Sequence, residues 1–206
     1  MIFDDLTGVI QAGGQSRRMG RDKALMNFLG VPLIWRPIQR LEQLAGQIIL
    51  VTNRPDDYSF LAKDMVQDIL PGTGALGGLL TALMASKNPY VATVACDMPF
   101  VNPGMLARQY EILSENPKLA LVIPESRHGL EPMHVVYRRE LCLGPVQKAI
   151  EQGERRMVSW HSQVDRFILD QATVNDYDPQ ELAFININTQ EEFIQAEKSA
   201  NDLEGN

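Results

Sequence analysis

Short runs of consecutive apolar residues alternate with stretches of helical periodicity along most of the chain. Gly8-Val9-Ile10, Ile48-Ile49-Leu50-Val51 and the run 90–96 lack the in-and-out alternation of a half-solvated strand, so they read as strands buried on both faces. Between the first two, Leu33, Ile34, Ile38, Leu41 and Leu44 fall at helical spacing over 32–44, closed by Gly46. Further helices are expected over 79–86, 103–115 and 141–152, and further strands over 119–124, 133–137 and 166–169. Residues 175–179 (Asn-Asp-Tyr-Asp-Pro) read as a turn-rich loop. A closing strand is expected over 183–189, with Asn186 and Asn188 on one face because residues two apart share a side. Thr189 and Glu192 then form a capping box for a last helix over 191–198, and 201–206 are expected to fray. Strands that alternate with helices in this way imply an α/β fold with a mostly parallel sheet, helices on both faces, and ligands at the carboxyl ends of the strands.

The composition narrows the class. With 206 residues and 45% hydrophobic content the chain is long enough for one domain with a sizeable core. A net charge of -7 argues against a general nucleic-acid surface. Cys96 and Cys142 lack metal-ligand spacing and fit a reducing compartment. No apolar run approaches ~18 residues, so no membrane span is expected. The first residues show no basic region followed by an apolar core, so the expected location is the cytoplasm.

Against that acidic background, the stretch that follows the first strand is basic: Gly13-Gly14-Gln15-Ser16-Arg17-Arg18-Met19-Gly20-Arg21-Asp22-Lys23. Glycines let backbone N–H groups approach an anion, Lys23 supplies a compact charge, and Arg17 and Arg18 supply planar donor forks. A small phosphate-bearing ligand is the expected occupant. No Ser or Thr follows Lys23, and Gly13-Gly14 does not fit the dinucleotide fingerprint, so neither common phosphate loop applies. A second glycine-rich segment, Pro71-Gly72-Thr73-Gly74-Ala75-Leu76-Gly77-Gly78, marks another close approach. The strand 90–96 delivers Asp97, an acid at a central strand end facing the first loop. Such a carboxylate suits Mg²⁺, which takes hard oxygens and lets substrate phosphates complete its shell. The alternative role for Asp97, capping the helix 103–115, is better filled by Asn102. Asn53, in Thr52-Asn53-Arg54-Pro55, is open between nucleotide contact and turn chemistry.

Ala12-Gly13-Gly14-x-Ser16-x-Arg18-Met19-Gly20-x-Asp22-Lys23-Ala24-Leu25 resembles the nucleotide-binding signature of the molybdenum cofactor guanylyltransferases, within the Rossmann-like nucleotidyltransferases. The resemblance covers about 7–196. It implies a single three-layer domain with a nucleotide half at about 7–102 and an acceptor half at about 103–196. It also implies GMP transfer from GTP to the terminal phosphate of the molybdenum-molybdopterin cofactor, with pyrophosphate released and Mg²⁺ as cofactor. Transient partners would be the enzymes that supply and receive that cofactor. Lys23, Arg18 and Asp97 would be catalytic. GTP would meet Gln11, Ala12, Gly13, Gly14, Ser16, Lys23, Asn53, Asp68 and Asp97, with Asp97 as the metal ligand. The family's Asp upstream of its Gly-Pro-Leu-Ala-Gly segment corresponds to Asp68, which could instead be a solvated strand-end carboxylate. The Asn-x-Asn-Thr segment and a Gly-Glu-Arg segment imply that Asn186, Asn188 and Arg155 face the acceptor; for Arg155, solvated surface charge is the alternative. Arg127, His128 and His134 lie in or beside the 125–132 connection, where an acceptor could lie; for each histidine a structural role is the alternative. Gln11 departs from the family's usual Leu and places a polar group beside the base. A cytidylyltransferase acting on the same cofactor, and a nucleotide-binding protein without turnover, are the rival readings.

Overall fold

A computed structural model of the protein describes residues 2–13 and 22–204. The chain enters through β1 (Phe3–Gln11), a small hairpin of β2 (Asn27–Phe28) and β3 (Val31–Pro32), and α1 (Trp35–Leu41). It continues with β4 (Ala45–Val51), β5 (Asp64–Val66), α2 (Gly74–Ala85), β6 (Tyr90–Ala95) and α3 (Pro103–Glu115). The second part comprises β7 (Leu121–Ser126), β8 (Gly129–Leu130), β9 (His134–Arg138), α4 (Arg139–Glu151), β10 (Arg166–Leu169), α5 (Gln171–Tyr177) and α6 (Gln190–Glu204). The strands form one sheet in the order β10-β7-β9-β6-β1-β4-β5, with β8 paired to β7. β1, β4, β5 and β6 pair in parallel, as do β7 and β10, whereas β9 runs antiparallel to both β6 and β7. The mostly parallel α/β sheet expected from the pattern is thus present.

Alternate residues of the central strands feed two separate cores, which is why those strands read as unbroken apolar runs. Leu6, Ile10, Ile48, Leu50, Ala92 and Val94 pack with α1, α3 and α5, while Val9, Ile49, Val51 and Val91 pack with α2 and α4. Each fully buried Leu or Ile on either face contributes about 1.5–3 kcal/mol. Gly8 is where α1 comes closest to the sheet. A Cβ there would stand 2.8 Å from Ile48 Cδ1 and 3.2 Å from Leu41 Cβ, so no larger side chain fits without displacement.

Several elements depart from the sequence pattern, each for a local reason. The helix expected over 32–44 is confined to Trp35–Leu41, because Val31–Pro32 pairs with Asn27–Phe28 through a turn in which Leu29 and Gly30 both take positive φ. α2 begins at Gly74 rather than near Leu79, so three of the glycines of that segment lie inside the helix. Residues 175–177 are helical, not a loop, since Asp170 caps α5 by accepting the Thr173 N–H at 2.9 Å. No strand forms over 183–189. A single 3-10 turn, Leu182–Phe184, is followed by irregular chain whose backbone donors go elsewhere: Ala183 N–H to Asp178 Oδ2 at 2.7 Å and Ile187 N–H to Asp97 O at 3.1 Å. The Thr189–Glu192 capping box does form, with Glu192 N–H on Thr189 Oγ1 at 3.1 Å and Thr189 N–H on Glu192 Oε2 at 2.9 Å. The helix it starts runs through Glu204, past the point where fraying was expected.

Candidate functional site

The carboxyl ends of β1, β4 and β6 share one edge of the sheet, and Gln11, Lys23, Asn53, Asp68, Asp97 and Asn188 are brought to it. β1 ends at Gln11, paired with Val51 of β4 and Ala95 of β6. Ala12 continues onto β4 through its N–H to Val51 O at 2.8 Å, and Gly13 follows it, exposed. Gly14, Ser16, Arg17 and Arg18 lie outside the described residues. The chain is described again from Asp22, whose side chain accepts the Ala24 N–H at 3.1 Å and caps a single 3-10 turn, Lys23–Leu25.

That turn aims Lys23 across the edge. Its Nζ lies 3.0 Å from Asp97 Oδ2, 2.6 Å from Ile187 O and 3.0 Å from Asn188 Oδ1, so all three ammonium protons have acceptors. The pair is secluded, with 13% of the Lys23 and 18% of the Asp97 side chain exposed, which strengthens the attraction relative to a surface pair. One ammonium therefore joins the carboxyl end of β6 to the irregular segment 185–189. Asn188 Nδ2 in turn donates to Asn186 O at 3.3 Å. The two asparagines meet through a backbone turn and not through a shared strand face.

On the other side of the strand ends, Asn53 and Asp68 are brought together: the Asp68 N–H donates to Asn53 Oδ1 at 3.1 Å. Asp68 Oδ1 accepts the Leu70 N–H at 3.0 Å and the Thr81 hydroxyl at 3.2 Å, which fixes the carboxylate against α2. Gln11 lies against the same helix. A Cβ on Gly78 would stand 2.6 Å from Gln11 Oε1, so the missing side chain makes room for the amide, whose buried Nε2 has no acceptor among the described residues. Arg155 is not drawn to Asn186 or Asn188 by any contact. It is exposed, its guanidinium donates to Glu154 O at 2.9 Å, and its own carbonyl faces Gly74 at the start of α2.

Because β7 runs parallel to β6 while β9 returns between them, the connection from Ser126 to Met133 sits on the same edge as Asp97. It is held rigidly. Ser126 Oγ donates to Glu131 Oε1 at 2.6 Å, and Arg127 pairs with Glu181 at 2.9 Å and reaches His128 Nε2 at 3.2 Å. Burial raises the Glu131 carboxyl above its ordinary range. Glu181 takes a left-handed backbone conformation, φ 53°, uncommon for a residue with a side chain. His134 is a core residue: its Nε2 accepts the Asn102 N–H at 3.3 Å, its Nδ1 faces the Gln109 amide at 3.3 Å, and burial lowers it to about 4. Burial, followed by the nearby Asp97 and Asp22 carboxylates, pushes the Cys96 thiol far up and so disfavours its thiolate.

Among the described residues no group of three or more His, Cys, Asp or Glu stands ready to hold a metal, and no helix is long and apolar enough to cross a membrane. A single carboxylate such as Asp97 is chemically compatible with Mg²⁺, because phosphate oxygens supply much of its shell, and among the described residues only its Oδ2 accepts a hydrogen bond, from Lys23.

Residues 8–165 match the model of the MobA-like NTP transferase domain. The chain belongs to that family. It is 30% identical to a probable molybdenum cofactor guanylyltransferase of Peptoclostridium acidaminophilum, over 92% of this chain and 87% of that protein. It is 29% identical to the molybdenum cofactor guanylyltransferase of Desulfosudis oleivorans, over 95% and 96% respectively. Among solved structures, the molybdopterin-guanine dinucleotide biosynthesis protein A of Archaeoglobus fulgidus shares the fold with a TM-score of 0.81 at 23% identity, covering 95% of this chain and 99% of that one. This MobA-like transferase thus has the three-layer nucleotidyltransferase fold that its glycine-rich signature implies.

The carboxylate of Asp22, with Arg54 and Tyr58 on it, went unassigned in the sequence. Asp22 stood inside the recognised signature, but its partners lie 32 and 36 positions away, a separation that no local pattern reports.

Proposed function

We propose that this protein transfers GMP from GTP to the terminal phosphate of molybdopterin carrying molybdenum, releasing pyrophosphate and forming molybdopterin guanine dinucleotide. The observation that carries this reading is the Lys23 ammonium, held 3.0 Å from both Asp97 and Asn188 where the two halves meet. Relatives over most of the chain bear the guanylyltransferase name, which supports the choice of nucleotide and acceptor. Asn53, Asp68 and Gln11 line the side toward the base, Ala12, Gly13, Gly14 and Ser16 the phosphate loop, and Asn186 and Asn188 the acceptor side. Asp97 would hold Mg²⁺, which when bound supplies concentrated positive charge to the phosphates. Arg155, whose carbonyl faces Gly74 at the start of α2, is proposed with Asn186 and Asn188 for the acceptor.

An oxygen of the acceptor phosphate forms the new bond to the α-phosphorus as the bond to pyrophosphate breaks, and the electron pair leaves with pyrophosphate. The attacking phosphate is already ionised, so the chain needs no general base. Lys23 is there to neutralise charge and hold the two phosphates in line, and the signature assigns Arg18 the same charge-neutralising role. Lys23 spends its protons on Asp97, Asn188 and a carbonyl, so a phosphate that replaces any of these gains a charged donor already in place. The cytoplasm is the proposed site of action, with enzymes that supply and receive the cofactor as transient partners.

The test is pyrophosphate release by the purified protein with the molybdenum-loaded acceptor, Mg²⁺, and GTP, CTP or ATP in turn. Release with GTP alone is expected. A CTP preference moves the protein to cytidylyl transfer, and nucleotide binding with no release under any condition makes it a nucleotide-binding protein without turnover.

A further inference from the structure

Lys23 is aimed by its neighbour. Asp22, with 9% of its side chain exposed, uses Oδ1 to cap the turn through the Ala24 N–H and Oδ2 to accept two further donors from beyond β4. The first is the Tyr58 hydroxyl at 2.6 Å, and the second is the Arg54 guanidinium, which also reaches Asp57 at 3.4 Å. Both donors are firmly mounted. Tyr58 is 1% exposed, and its burial together with the Asp22 contact keeps the phenol protonated. The Arg54 N–H donates to Thr52 Oγ1 at 3.2 Å, and the Thr52 N–H to Val66 O at 2.9 Å, so the segment is an extension of the β4–β5 ladder.

An exposed arginine on a surface carboxylate contributes little to stability, and the half-exposed Arg54 alone would be read that way. The carboxylate it meets is nine-tenths buried, shares a second buried donor, and controls a turn of three residues whose first side chain is Lys23. Charge-assisted donors on a secluded carboxylate are the stronger kind and fix geometry as well as energy. Arg54 is also the residue after Asn53, so the same short segment faces the base side with one side chain and Asp22 with the next.

We infer that Arg54 and Tyr58 are positioning residues for the transfer. By holding Asp22 they fix the turn that aims Lys23 at Asp97 and Asn188, and they tie the base-side segment 52–58 to the acceptor side. This rests on the proposed nucleotidyl transfer, because it assigns the aim of Lys23 a kinetic value. Without the guanidinium the turn keeps one fewer anchor, Lys23 wanders from its three acceptors, and reacting phosphates lose their alignment.

The full-length chain and its Arg54→Met, Arg54→Lys and Tyr58→Phe variants are compared in three measurements: pyrophosphate release, GTP titration, and labelling of Lys23 by an amine-reactive reagent read by mass spectrometry. Arg54→Met is expected to lower kcat about tenfold or more, with GTP affinity changed only a few-fold. Arg54→Lys recovers part of that loss. Tyr58→Phe costs a few-fold, and its effect combines with that of Arg54→Met less than multiplicatively, since both act through Asp22. Lys23 labels several-fold faster in Arg54→Met and Tyr58→Phe than in the parent. A wild-type kcat in folded variants, or a loss confined to GTP affinity, overturns the inference. If the parent itself releases no pyrophosphate, the proposed function fails, and the labelling still decides whether Arg54 and Tyr58 hold Lys23: unchanged labelling refutes the positioning outright.

Discussion

The proposed nucleotide half and the proposed acceptor half hold their groups by different means. In the first, Gln11, Asn53 and Asp97 stand at or just past the ends of parallel strands, so regular hydrogen-bonded ladders fix where they point. In the second, Asn186 and Asn188 lie on chain with no ladder, pinned by the Ile187 N–H on Asp97 O and by the Lys23 ammonium. The Lys23 ammonium is one of several contacts that hold this segment, beside the Glu192 carboxylate on the Asn188 N–H and the buried Ile187 side chain.

The largest expected effect breaks the nucleotide half. Asp97→Asn should lower metal-dependent transfer by about 10²–10³-fold, the scale of losing one charge-stabilising group, while the fold persists. Retention of wild-type turnover would remove Asp97 as the Mg²⁺ anchor. The next tests the seam. His134 joins Asn102 of one half to Gln109 of the other, and burial lowers it from 6.5 to about 4; His161 is lowered likewise. The unfolded chain takes up these protons first, so stability is full above pH 6.5 and falls as pH drops toward 4. The loss is on the order of 3 kcal/mol per histidine across that window. Chemical denaturation at several pH values reads it, and a flat profile between 6.5 and 4 contradicts the buried neutral imidazoles.

Asn188→Ala sharpens the contrast between the halves. It removes one of three acceptors from Lys23 and should raise the acceptor KM about tenfold with GTP affinity nearly unchanged. Equal changes in both would show that the halves do not divide the work as described. The smallest effect comes from Gln11→Leu, which replaces an amide whose Nε2 is buried without an acceptor among the described residues. We expect a gain of about 1 kcal/mol in unfolding free energy. A loss of stability in the free protein would show that the amide has a partner, and a changed GTP-to-CTP ratio in the same variant would show that it faces the base.

The strands of the nucleotide half were legible because burial on both faces leaves a continuous apolar run, and α3 was legible to its Asn102 cap, which accepts the Met105 N–H at 3.0 Å. The segment 183–189 misled because alternating Ile and Asn mimic a strand, while its backbone donors find a carboxylate and the Asp97 carbonyl instead of a neighbouring strand. α5 was hidden for a related reason. Asn175-Asp176-Tyr177-Asp178-Pro179 carries the residues of a turn, yet Val174 is buried in the core and Asp170 caps the helix.

By itself the sequence determined the layered α/β class and the parallel run of β1, β4 and β6, and it marked the loop from Gly13 to Lys23 as the proposed place for phosphate. These follow from local periodicity and from residue types that act within a few positions of one another. Tertiary structure alone decided that β9 turns back between β6 and β7, that Lys23 joins Asp97 to Asn188, and that Arg54 and Tyr58 hold Asp22. Those contacts link residues from 32 to 165 positions apart, and only the folded sheet sets the distances between them.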